Sequence, residues 1–175
     1  MSDTKKKLVE VIQTLLSQTK SLAPPISLGE IESMVFISTF NEPKAITHDN
    51  LAFFNSCPKD VQYFWSICAG ARIFYDRIYG QWGLEVLDCM SARAETDSFR
   101  HERSDDYLFG DVVIGRFIGD SDLLLTRCDP SSDDFGTIIV STPIDRRSDW
   151  ETISSSFADF LEQYTKHGGA KFWEN

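Results

Sequence analysis

Three histidines, four cysteines and an excess of carboxylates are the residues of this chain that could do chemistry, and their spacing decides which chemistry is open. His48, His101 and His167 are dispersed, and no motif sets a serine or cysteine nucleophile beside any of them. His101 could pair with its neighbour Glu102. His48 fits the first turn of a helix, and His167 fits the carbonyl end of the last one. The patterns GxSxG, HExxH, GxGxxG and the phosphate-cradling GxxxxGK are all missing. Cys57, Cys68, Cys89 and Cys128 form no CxxC pair, so they read as reduced, buried small hydrophobes rather than zinc ligands. The loop Asp129-Pro-Ser-Ser-Asp-Asp-Phe-Gly has the look of a calcium loop. Ser131 and Asp133 stand at its third and fifth positions, however, and Val140 replaces the closing glutamate, so a solvated turn is expected. Carboxylates are numerous enough to supply a general acid and base, but nothing in the sequence places such a pair. The expectation is a protein that is not an enzyme and needs neither cofactor nor metal.

The carboxylates matter more as charge. The formal net charge is −10, and the stretch from Glu95 to Asp134 holds eleven acids against four arginines, which is seven of those ten charges. Such a field repels phosphate backbones and anionic lipid and accelerates encounter with a basic protein surface. Nucleic acid and membrane are therefore excluded as partners, and a basic protein partner is expected. The candidate partner-binding residues are Glu95, Asp97, Asp105, Asp106, Asp120, Asp122, Asp133 and Asp134. The competing reading is that these acids only keep the protein soluble.

The elements that must position these residues follow from periodicity. Leu8, Val11, Ile12, Leu15 and Leu16 recur at helical spacing between Lys5 and Lys20, behind the cap candidates Asp3 and Thr4. Ser27 with Glu30 has the form of a capping box, while Met34 to Phe40 is β-branched and aromatic enough for a strand; both readings stay open there. A short helix is expected from Thr47 to Phe54. A second one enters at Pro58, carries Val61, Phe64, Trp65 and Cys68 on one face, and stops at Gly70. Two alternating strands follow, around Ile73 and Tyr75 and around Leu84 and Val86, with Trp82 expected on the buried face beside them. Residues 89–110 show no clear period and read as a long connection with at most a helical turn. Strands are expected over Asp111 to Ile118, Asp122 to Thr126 and Phe135 to Ser141. Ser148 and Glu151 look like a second capping box, opening a helix striped with Trp150, Ile153, Phe157, Phe160, Leu161 and Tyr164 and closed by Gly168-Gly169. Helices, a run of strands and a closing helix, without regular βαβ alternation, imply a single α+β domain over residues 1–175 with a mostly antiparallel central sheet flanked by helices. The basic start, Met1 to Lys7, leads into apolar residues interrupted by Glu10, Gln13 and Thr14, so no secretory leader is read and a cytoplasmic location is expected.

In this order the pieces resemble a known family. The helix Cys57-Pro58 to Gly70, the strand pair Arg72–Arg77 and Tyr79–Leu87, the pair Val112–Leu125 around a Gly-Asp turn, the segment Ser156-Phe-Ala-Asp-Phe-Leu161 and the tail Gly169-Ala-Lys-Phe-Trp-Glu174 are similar to the SUKH superfamily, which includes yeast cell-wall-synthesis regulators and many bacterial immunity proteins. The likeness spans residues 47–174, and residues 1–46 are a helical region outside it. It implies a non-enzymatic α+β scaffold whose bacterial members bind and neutralise a toxin, often a nuclease. The resulting expectation is a protein that neutralises a cognate toxin through an acidic surface. A regulatory interaction module on the same scaffold and a hydrolase with an unrecognised carboxylate site are the alternatives. The sequence leaves the oligomeric state open.

Overall fold

The computed structural model describes residues 3–21 and 35–174. Ser27 and Glu30 lie outside the described residues. Helix α1, Asp3–Ser21, already includes Asp3 and Thr4 and buries Leu8, Val11 and Leu15. Of the stretch from Met34 to Phe40, Phe36–Phe40 is a strand, β1. Helices α2, His48–Ser56, and α3, Lys59–Ile67, follow, with Pro58 at the entry to α3 and Gly70, at φ +84°, after it. Val61, Phe64 and Trp65 of α3 are buried as their spacing required, and the Trp65 indole donates to the Leu87 carbonyl at 2.8 Å.

The remaining strands are β2 (Ala71–Asp76), β3 (Gly83–Val86), β4 (Asp111–Ile118), β5 (Leu123–Arg127), β6 (Ile138–Ser141) and β7 (Glu151–Ser154). With β1 they form one seven-stranded sheet in chain order, antiparallel at every step. The expected α+β class with an antiparallel sheet is what the chain builds. Directly opposed residues share a face of the sheet. On one face Phe117 packs against Tyr164 of the last helix, α5 (Phe157–Lys166), and α1 and α3 cover the same core. Asp60 ties the two helix starts there, since its carboxylate accepts the Ala158 N–H at 3.0 Å. On the other face the row Arg72, Glu85, Arg116 runs across β2, β3 and β4.

Four expectations are corrected. Residues 89–110 are not a bare connection, because Cys89–Glu102 is a helix, α4, capped by Asp88, whose carboxylate accepts the Met90 and Ser91 N–H groups at 2.9 Å; His101 therefore stands in a helix. The buried residues of α4 are Cys89, Ala92 and Thr96, too small and too polar to print an apolar stripe. They have a special task. β3 stops opposite Gly115, and α4 satisfies the β4 edge left beyond it: Thr96 Oγ1 accepts the Val113 N–H at 2.9 Å, and Arg100 donates to the Asp111 carbonyl at 3.0 Å.

The Ser148–Glu151 capping box is not formed. Arg147–Asp149 is a single 3₁₀ turn, Glu151 opens β7, and α5 starts only at Phe157, capped by Ser156 accepting the Asp159 N–H. The strand expected from Phe135 begins at Ile138, with Phe135 exposed in the loop before it. Trp82 precedes β3 and stays 38% exposed instead of joining the buried row, because Gly83, at φ +130°, breaks the alternation.

Candidate functional site

The eight carboxylates singled out from the sequence go to three places and do not form one open patch. Glu95 and Asp97 lie on α4, the first 3.4 Å from Arg116 and the second 3.9 Å from Arg93. Asp105, Asp106, Asp133 and Asp134 stand in the loops next to Asp111. Asp106 holds Arg103 at 2.8 Å and Asp134 holds Arg127 at 3.0 Å, while Asp105 and Asp133 are exposed with no ion pair among the described residues. Asp120 and Asp122 flank the β4–β5 turn. The expectation that the acids of 95–134 share one face fails because six of the eight are drawn to the arginines and the lysine nearest to them.

The third place is where charge does accumulate. Lys171 Nζ lies 2.6 Å from Asp120, 2.6 Å from Asp122 and 3.1 Å from Glu174. Burial works against this ammonium, but the three carboxylates outweigh it and hold its proton more tightly than in an ordinary lysine. Beside it opens a cleft of about 180 Å³ lined by Asp122, Asp145, Asp149, Glu151 and Glu174, with Trp173 as its apolar wall. Sheet register brings these residues together. Leu123 opposes Ser141, so Asp122 lies next to Thr142, and Val140 opposes Glu151. Five carboxylates line the cleft, and two of them, Asp122 and Glu174, share the Lys171 ammonium with Asp120.

Two larger hollows are charge-balanced. One, of about 540 Å³ between α1 and α5, sets Lys6, Lys7 and Lys166 against Asp3, Glu10 and Glu162. The other, of about 340 Å³, sets Arg72 and Arg116 against Glu85 and Asp88. Of these three, the small cleft is the one whose charged lining is all of one sign.

Asp145, Asp149, Glu151, Glu174 and Trp173 were missed by sequence reasoning. Asp149 and Glu151 fall in the stretch read as a helix start, Asp145 lies in the connection before it, and Glu174 is in the tail. Their one signal was the clustering of Asp145, Asp149 and Glu151 around Arg146-Arg147. Arg147 is drawn inward to the carboxylate of Asp111, leaving that end of the loop acidic.

The other candidate chemistry falls into place locally. Asp129 Oδ1 accepts both the N–H and the hydroxyl of Ser131, the tight turn expected of that loop. All four cysteines are free and buried; the Cys57 thiol donates to the Phe53 carbonyl at 3.4 Å and the Cys128 thiol to the Thr126 carbonyl at 3.9 Å. His167 Nδ1 lies 2.8 Å from the Gln163 carbonyl at the end of α5. Among the described residues no group of three or more His, Cys, Asp and Glu could hold a metal ion, and no helix is long and apolar enough to cross a membrane.

No curated protein matches the chain. The SMI1 / KNR4 family (SUKH-1) is matched over residues 55–163, from the end of α2 into α5. That span takes in every described strand except β1, and with them the β4–β5 turn and the β6–β7 loop that line the cleft together with the tail. More than half of the sequence is covered, in the region where the motif order had suggested it, and the chain belongs to the SMI1 / KNR4 family (SUKH-1).

Proposed function

We propose that this protein works by binding, not by catalysis, and that it neutralises a cognate basic protein toxin, a nuclease being the fitting class. The observation that carries this reading is the Trp173 cleft, which five carboxylates line and which no cation lines, Lys171 being tied to two of the five and to Asp120. A surface that grips nucleic acid must be cationic, and a concentrated anionic cleft is its electrostatic complement; such steering raises association rates about 10- to 1000-fold at low salt. The same field disfavours nucleic acid and anionic membrane as partners. The proton affinities fit docking better than acid–base work. Where a carboxylate departs from its ordinary value, as at Asp106, Asp129, Asp134, Asp159 and Glu162, it is lowered, which keeps it ionised. Free, buried cysteines suit the reducing cytoplasm, where an intracellular toxin would be met.

The test pairs this protein with the toxin domain encoded beside its gene. We expect a stable complex, rescue of cells that express the toxin, and association that slows steeply as salt rises. The double reversal Asp149→Lys with Glu151→Lys should slow association about 10-fold or more. Failure to form a complex, together with failure to rescue, would remove the reading.

A further inference from the structure

Three loops, 103–110, 128–137 and 142–150, have little regular structure of their own and are tied together by an alternating chain of charges. Arg103 holds Asp106 at 2.8 Å, Asp106 accepts the Arg147 N–H at 3.1 Å, the Arg147 side chain reaches Asp111, Asp111 holds Arg127 at 2.8 Å, and Arg127 holds Asp134 at 3.0 Å. The arginines also grip main chain. Arg127 donates to the Phe109 carbonyl at 3.0 Å, and Arg103 donates to the carbonyls of Thr142, Pro143 and Asp145. Asp111 and Arg127 are almost wholly shielded from solvent. Burying such a chain brings little net stability, since desolvation offsets attraction. Its physical effect is to fix the backbone of three loops.

What the loops present on the outside is apolar. Phe109 is 80% exposed and Ile144 is 92% exposed, with Leu108 and Phe135 also open to solvent. Single exposed apolar residues are ordinary, but these four stand on loops that one network ties together. Phe109 rides directly on the carbonyl held by Arg127, and Ile144 sits between two carbonyls held by Arg103. The network turns Arg103, Arg127 and Arg147 inward, while Asp105 and Asp133 stay exposed; Arg146 is the exposed cation of these loops. The rim is therefore mainly anionic. Two such rims repel, so a second copy of this chain is a poor occupant, and a cationic rim is the complement.

We propose that Phe109 and Ile144 are the anchors of a preorganised docking surface for a folded protein whose apolar pockets are rimmed by lysine and arginine. This rests on the partner being the basic toxin, and it divides the labour. The acidic cleft governs encounter, and the apolar anchors govern how long the complex lasts. Loop 142–150 joins the two, since Asp145 and Asp149 line the cleft and Ile144 precedes Asp145. Anchors already held in place lose little freedom on binding, which is how a modest surface becomes a tight one.

The experiment is surface-kinetic titration of the neighbouring gene's toxin domain against the unaltered protein, Phe109→Ser, Ile144→Ser and, as a control, Leu51→Ser on the exposed side of α2. All three changes lie at the surface, and an unchanged thermal midpoint confirms the fold. Phe109→Ser and Ile144→Ser should each raise the dissociation constant about 30-fold or more, chiefly by faster dissociation, with Leu51→Ser within about threefold. Dissociation unchanged in both anchor variants, while the complex still forms, overturns this inference and leaves the proposed function standing. A complex that never forms with the unaltered protein removes the function and this inference with it. A homodimer in sedimentation equilibrium that Phe109→Ser dissolves also overturns it, by showing a second copy as the occupant.

Discussion

Asp111 and Arg127 are direct cross-strand partners on β4 and β5, joined at 2.8 Å with Asp111 wholly removed from solvent. The second oxygen of the same carboxylate meets Arg147, so one buried acid holds two guanidinium groups. Removing one member of a buried ionic group leaves its partners uncompensated. Asp111→Ala should therefore destabilise the fold by about 3–5 kcal/mol. Combining Asp111→Leu with Arg127→Met should recover only part of that loss, because the apolar pair removes the buried Arg127 cation but still leaves Arg147 without its carboxylate. Urea unfolding measures both. A loss under about 1 kcal/mol for the alanine variant would show that the pair is not held as described.

A second prediction concerns Phe74 and Gly169. Phe74 is not glycine yet has φ +49°, and this turn of the backbone sends its ring to the α5 side, 5.7 Å from the Tyr164 ring and edge-on to it. Gly169, at φ +84°, closes over that ring so tightly that a Cβ would lie 2.6 Å from Phe74 Cγ. Gly169→Ala should cost about 1–3 kcal/mol, from the left-handed backbone and the clash together. In a Phe74→Ala background, which removes Cγ and Cδ2, the added penalty should shrink. Strict additivity of the two changes would disprove the contact.

The sequence made these elements legible to different degrees, for physical reasons. Helix α3 and most of α5 announced themselves because their buried faces carry Phe64, Trp65, Phe160 and Tyr164 at helical spacing. Helix α4 hid because it caps a strand edge with Thr96 rather than filling a core with large side chains. Residues 148–154 misled because Ser148 and Glu151 have cap-like spacing, while pairing of Glu151 with Val140 makes a strand there. Family order was readable from residue 47 onward, and the match over 55–163 agrees. The acidic cleft was hidden because Asp122, Asp149 and Glu174 are distant in sequence and meet only through strand register and the return of the tail. Sequence counts charge well, but which carboxylates stay free depends on where each arginine goes.

The pH dependence of stability follows from the lowered carboxylates. Asp106 binds its proton less readily because the Arg147 N–H and the Arg103 side chain stabilise the anion, and Asp134 does so because of Ser132 and Arg127. A folded-state value below the unfolded one adds stability above the unfolded value, near pH 4, that is lost as pH falls through the folded value. Stability should thus be flat from neutrality to about pH 5 and decline below about pH 4. Both groups keep some exposure, so solvent screening limits the effect of each. In the Asp106→Asn, Asp134→Asn double variant the acid slope of the urea midpoint should be shallower. An identical slope would locate the acid sensitivity elsewhere.

Thiol reactivity gives the last prediction. Burial pushes the Cys68 thiol up to about 12 and the Cys89 thiol up to about 11, and Cys128 is raised by the neighbouring Cys57 thiol and by burial. Because only the thiolate attacks a disulfide reagent, a thiol near 11 is ionised to about one part in a thousand at pH 8. Access is a second barrier, since all four sulfur-bearing side chains are buried. The native protein at pH 8 should therefore show no thiol reacting at the rate of free cysteine, and all four should react at once in urea. Each native rate should follow the opening of the core and rise in step with any change that weakens it, Asp111→Ala included. A native thiol that reacts fast and ignores such changes would mean that at least one cysteine lies at the surface, contrary to the packing of α3 and α4 against the sheet.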